Sequence, residues 1–94
     1  MNWISLPARD WEGRTTSVEL GLGPDSVECW WENRRVAVFD RATLRVWLTV
    51  PYGFYSAGDI MWRMSEGNLW LSVDASLPWA EVSVANLALL RECL

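Results

Sequence analysis

Histidine, lysine and glutamine are all missing from the 94 residues. Without an imidazole the chain loses the commonest general base, the commonest metal ligand and the usual pH switch together. Its serines and threonines have no histidine to activate them, neither cysteine has an imidazole partner, and no glycine-rich run matches a phosphate-cradling loop. Cysteine itself is scarce. Cys29 and Cys93 cannot complete a tetrahedral zinc site unaided and are too few for a secreted disulfide framework, so they read as small buried hydrophobes. Long apolar runs are missing too: the longest uncharged stretch, Val46 to Gly58, is broken by Pro51 and Gly53 and falls short of the ~20 residues that span a bilayer. Met1 to Asp10 mixes Trp3, Ile4 and Leu6 with Pro7, Arg9 and Asp10, which is no secretory leader. These absences lead us to expect a non-enzymatic protein without cofactor, metal or membrane span, at a cytoplasmic address.

Positive charge is in the minority. Eight arginines face twelve acidic residues, giving a net charge of −4 and a pI near 4.6. Affinity for a phosphate backbone comes from cations displacing counterions, so duplex nucleic acid is a poor partner for this chain. The acidic residues, Asp10, Glu12, Asp25, Glu28, Glu32, Asp40, Asp59, Glu66, Asp74 and Glu81 among them, fall at turns, caps and outward strand positions. There they keep a protein soluble and blunt sheet edges, and their spacing marks no catalytic pair.

What is present is apolar material, at 51% of residues with only 21% charged, far from the composition of disordered segments. A chain of this length reads as one domain, residues 1–94. Val18, Leu20 and Leu22 alternate in the period-two manner of a half-buried strand, Gly23-Pro24-Asp25 turns the chain, and Val27, Cys29 and Trp31 alternate again. A third strand over Val36 to Phe39 runs into Asp40, a helix N-cap, with Leu44, Trp47 and Leu48 following on one face until Pro51. The second half replays this order. Ile60, Trp62 and Met64 alternate, Ser65-Glu66-Gly67-Asn68 turns, Leu69, Leu71 and Val73 alternate, a short strand spans Trp79 to Val82, and Ser83 caps a helix through Leu87, Leu90 and Leu94.

Laid over each other at a shift of 42 to 43 residues, the two halves keep the same inward phase. The expected fold is therefore α+β: an antiparallel sheet with two helices packed on one face, built from a pseudo-repeat of a βββα unit, with an N-terminal arm at 1–16 and repeat-like halves at 17–50 and 58–94.

Eight tryptophans are heavy usage, and parity sorts them. Trp31, Trp47 and Trp62 belong to the core. Trp30 and Trp70 fall on the opposite sheet face among Glu28, Glu32, Ser72 and Asp74, where large aromatics call for a cover: a second copy, a partner, or the arm carrying Trp3 and Trp11. Tyr52, Phe54 and Tyr55 cluster on the loop after the first helix, and aromatics on loops are frequent binding anchors. The last helix is apolar nearly all round, which makes Leu89 and Cys93 candidates for a dimer seam. The expectation is a small protein-binding or regulatory module acting through self-association or a protein partner. The alternatives are a single-stranded nucleic-acid platform, with bases stacked on the outer indoles, and a small-molecule domain with a Trp-lined pocket.

Overall fold

A computed structural model of the chain describes residues 2–73 and 78–94. Among them Asn2–Asp10 (β1), Thr15–Leu22 (β2), Ser26–Trp31 (β3) and Arg34–Asp40 (β4) precede the helix Arg41–Trp47 (α1). Gly53–Ala57 (β5), Ile60–Ser65 (β6), Asn68–Val73 (β7) and Ala80–Val82 (β8) then lead to the helix Val84–Cys93 (α2). Every strand pair is antiparallel, in the order β4-β3-β2-β1-β8-β7-β6-β5. The chain meanders from strand to neighbouring strand, and β1 pairs with β8, so the two outermost strands are β4 and β5. They meet where the amide of Asp59 donates to the carbonyl of Val36 at 2.8 Å. The sheet is thus a nearly closed barrel, clasped at that point.

This architecture corrects the expected one. The sheet does not lie flat beneath two helices on one face, and no βββα unit is repeated. Two segments made the difference. The supposed arm at 1–16 contains β1, in register with β2 from Asn2↔Leu22 to Arg9↔Thr15 and with β8 through Ala8↔Val82. The supposed aromatic loop contains β5, paired with β6 from Gly53↔Met64 to Ala57↔Ile60. With eight strands in sequence the alternating side chains line the inside of a curved sheet, which buries them against one another.

The alternating inward positions fill that interior: Leu6 and Ala8, Val18, Leu20 and Leu22, Val27 and Cys29, Ile60, Trp62 and Met64, Leu69, Leu71 and Val73, and Ala80 and Val82 are all buried. Asp74, placed by parity on the outer face, lies outside the described residues. Trp62 is fully buried, while Trp31 and Trp47 are half-buried and pack against the core. Around Trp62 the rings of Phe39 and Trp47 stand 4.9 and 6.5 Å away, and Tyr55 packs on both of those rings. An interior filled by side chains rather than by a cavity is what an eight-stranded barrel of this size produces.

Tight turns set the registers. Glu32 and Asn33, with φ of 48° and 64°, join β3 to β4, and Glu66 and Gly67, with φ of 53° and 76°, join β6 to β7. Two positive φ values in a two-residue link make the primed hairpin turn that matches strand twist. Gly58, between β5 and β6, has φ +54°, and a Cβ there would stand 2.1 Å from the carbonyl oxygen of Val36. Only glycine lets the clasp close.

Both helices start as the sequence indicates. Asp40 accepts from the Thr43 amide and hydroxyl, and Ser83 accepts from the Asn86 amide. Those Thr43 donors hold the Asp40 carboxyl below its ordinary value of 3.8 against a smaller opposing effect of burial. Leu44 and Leu48 from the first helix, and Leu87, Leu90 and Leu94 from the second, enter the core. Arginines join the helices by their unsatisfied carbonyls. Arg41 donates to Gly23 O at 2.6 Å and Cys93 O at 2.8 Å, Arg45 donates to Leu94 O, and Arg91 donates twice to Leu48 O at 3.1 and 2.8 Å.

Candidate interaction surfaces on the barrel wall

Because every inward position is taken by the core, chemistry available to a partner lies on the outward positions, and cross-strand register puts these in rows. Phe54 on β5 stands opposite Arg63, Arg63 opposite Trp70, Trp70 opposite Glu81, and Glu81 opposite Arg9. One row thus crosses five strands, alternating aromatic and charged side chains from Phe54 to Glu81 and ending on a second charge, Arg9. The Arg63 guanidinium lies 5.8 Å over the Phe54 ring. Trp79 tilts against Phe54 at 6.4 Å, and Trp11 lines a surface depression with Trp70, Arg9 and Glu81. Phe54 is 66% exposed, Trp11 81% and Met61 39%, so this wall shows large apolar side chains to solvent.

The other wall, β1 to β4, is built differently. Trp3 pairs with Gly21, which has no side chain to compete for the space above it, and the Trp3 ring meets Trp30 edge-on at 6.2 Å and 72°. The Trp30 indole N–H donates to Glu28 at 3.2 Å, and Arg35 lies 3.5 Å from the same carboxylate. Ser5 donates to Glu19 at 3.0 Å. The groove beside the two rings is lined by Trp3, Ser17, Glu19, Trp30, Glu32 and Asn33, with a volume of about 540 Å³.

The sequence-derived candidates are dispersed over the molecule. Trp30 and Trp70 are both half-buried and outward, on opposite walls. Phe54 joins Trp70's wall, whereas Tyr55, its neighbour on the strand, turns inward onto Phe39 and Trp47. Tyr52 is 65% exposed beside Pro51, ahead of β5. Leu89 is 47% exposed on α2, and Cys93 is half-buried against the core. Trp3, Trp79 and Arg63 were not singled out as partner-binding residues. Their signal is cross-strand register, which no single segment of sequence carries.

Asp10 closes the β1–β2 turn: burial raises its pKa, but the amides of Arg14 and Glu12 and the Arg14 guanidinium together bring it below the ordinary value. Burial pushes the Cys29 thiol up to about 12, so it stays protonated and unreactive at neutral pH. Among the described residues no group of three or more histidine, cysteine or acidic side chains is placed to hold a metal ion, and no helix is long and apolar enough to cross a membrane. No family model matches the chain, and neither a curated protein nor a solved structure matches it.

Proposed function

We propose that this chain is a non-enzymatic protein-binding module whose principal contact surface is the outer wall of β5 to β8. The observation that carries the reading is the row Phe54–Arg63–Trp70–Glu81, extended by Trp79 and Trp11, in which Phe54 and Trp11 are exposed and Trp70 and Trp79 half-buried on a wall whose inward positions already fill the core. Contiguous apolar surface ringed by charges is the usual composition of a protein interface, with aromatic anchors at its centre and a polar rim. Arg63 and Arg9 suit the enrichment of arginine at such centres, and Glu81 between them fixes orientation. Stacking of single-stranded nucleic acid on these indoles has less support, because the net charge opposes phosphate and the opposite wall carries Glu19, Glu28 and Glu32.

The test pairs wild type with a Phe54→Glu, Trp70→Glu double variant. Both are used as bait in an extract of the native host, and both are weighed by light scattering over a range of concentrations. The reading expects a partner, or a concentration-dependent rise in mass, that wild type shows and the variant loses while its far-ultraviolet circular dichroism stays unchanged. Identical mass and identical captured proteins for the two folded forms would exclude the wall as the contact surface.

A further inference from the structure

The groove on the β1–β4 wall has a chemistry distinct from the aromatic row. Two indoles meet there at a steep angle and form a corner of π-faces, and the polar lining is acidic or neutral: Glu19, Glu32, Ser17 and Asn33. No arginine lines it. Arg35, opposite Trp30 in the register, lies 3.5 Å from Glu28, and Arg34 pairs with Asp59 at 2.9 Å while lying 6.0 Å over Trp31. Among the described residues, neither Glu19 nor Glu32 stands in an ion pair. The corner is also set in advance, since Glu28 holds the Trp30 indole by its N–H and Arg35 holds Glu28. Glu32 stands at the first position of the two-residue turn, with φ 48°.

Aromatic faces flanked by unpaired carboxylates favour an organic cation. A quaternary ammonium would use the rings but could not satisfy the carboxylates by hydrogen bonds. A lysine ammonium is a compact, strongly hydrated charge that gains little from stacking. A guanidinium uses both features, because its plane lies flat on an indole while its edge donates to a carboxylate.

We propose that this groove receives an arginine side chain of a basic partner protein, stacked on Trp30 and Trp3 with its donors on Glu19 and Glu32. The inference rests on the protein-binding reading, since it names the chemistry that the partner presents, but it concerns a separate wall. The net charge of −4 agrees with a basic partner and speeds its encounter.

The experiment uses the full ¹⁵N-labelled chain at low ionic strength, following the indole N–H resonances as a short acetylated Gly-Arg repeat peptide is added. The same peptide with citrulline or lysine for arginine, and an oligothymidylate, serve as comparison ligands. The arginine peptide is expected to shift the Trp3 and Trp30 indoles saturably, the lysine peptide to bind more weakly, and citrulline and oligothymidylate to leave those resonances in place. Glu19→Gln with Glu32→Gln, both at the surface, should weaken the arginine peptide by about tenfold, and Trp3→Ala by a similar factor. Phe54→Glu with Trp70→Glu should change nothing. Equal response to citrulline, unaltered affinity in the glutamine variant, larger shifts at Trp11 or Trp70 than at Trp3 and Trp30, or a stronger effect of the oligothymidylate would each overturn the proposal. Because the peptide reports on the groove alone, its failure leaves the aromatic row untouched, and failure of the wall variant in the extract leaves the groove untouched.

Discussion

The two walls of this barrel have the same inside and different outsides. On both, alternating aliphatic side chains face the core, with one fully buried large aromatic from each wall, Phe39 on β4 and Trp62 on β6, meeting at 4.9 Å. Outside, β5 to β8 carries Phe54 under Arg63 and sets Trp70 between Arg63 and Glu81, whereas β1 to β4 sets Trp30 between Glu19 and Arg35, with Arg35 3.5 Å from Glu28 and a groove lined by Glu19 and Glu32 beside Trp3 and Trp30. A ring with an arginine over it, as Phe54 has Arg63, presents a greasy patch whose positive charge is already on site. A groove of two rings lined by carboxylates presents a site in want of one. Strand pairing alone builds both, since the neighbour of each ring is decided by which residue of the next strand lies opposite.

The comparison can be tested by experiments that pull the walls apart or exchange their character. The largest effect is expected at the clasp between β4 and β5, where the two walls meet. Gly58→Ala adds a Cβ onto the Val36 carbonyl at a left-handed φ and should cost about 2–4 kcal/mol in urea unfolding, with faster hydrogen exchange at Asp59. Next come the indoles. Trp30→Phe removes the N–H that Glu28 accepts and should cost about 1 kcal/mol, whereas Trp70→Phe, with no such bond among the described residues, should cost under about 0.5 kcal/mol by the same measurement.

Inside the glutamate-bearing wall, Cys29 sets an alkaline dependence. Its folded pKa is raised from 9.0 to about 12, so its contribution is complete below pH 9 and is lost as pH rises from 9 towards 12. Unfolding free energy should decline over that window in wild type and less so in Cys29→Ala. The mirror case is acidic. Asp10 and Asp40 have lowered pKa values, so what they contribute is present above about 4 and disappears as pH falls through their folded values. The smallest effect belongs to Arg34 and Asp59, both largely exposed, where Asp59→Asn should change stability by less than about 0.5 kcal/mol because the clasp uses the backbone amide.

Much of the local structure was legible in the chain. Val18 to Leu22, Val27 to Trp31, Ile60 to Met64 and Leu69 to Val73 are strands with the inward phase read from their alternation, and Asp40 and Ser83 cap the two helices. The architecture was not legible, because β1 and β5 lack the usual marks. Pro7 argues against a strand interior, yet it precedes the three residues of β1 that pair with β8, so it meets a strand on one side only. Gly53 and the aromatics around it look like a loop, and Tyr55 becomes an inward strand residue only because Phe39 and Trp47 receive it. Outward tryptophans could be found by parity. Their chemical neighbours could not, since Glu19 beside Trp30 and Arg63 beside Trp70 are set by pairings between distant segments.

The pairing of Ala8 with Val82 joins the first strand to the last, and this has a kinetic consequence. Neighbouring hairpins can form as soon as their own turns close, but the ring cannot be completed until a loop containing most of the chain has been drawn shut. Refolding should therefore be slow for so small a molecule, with an intermediate stage in which β1 and β8 stand as bare edges. Dilution from denaturant at high concentration should lose material to aggregation during that stage, and at low concentration should recover it.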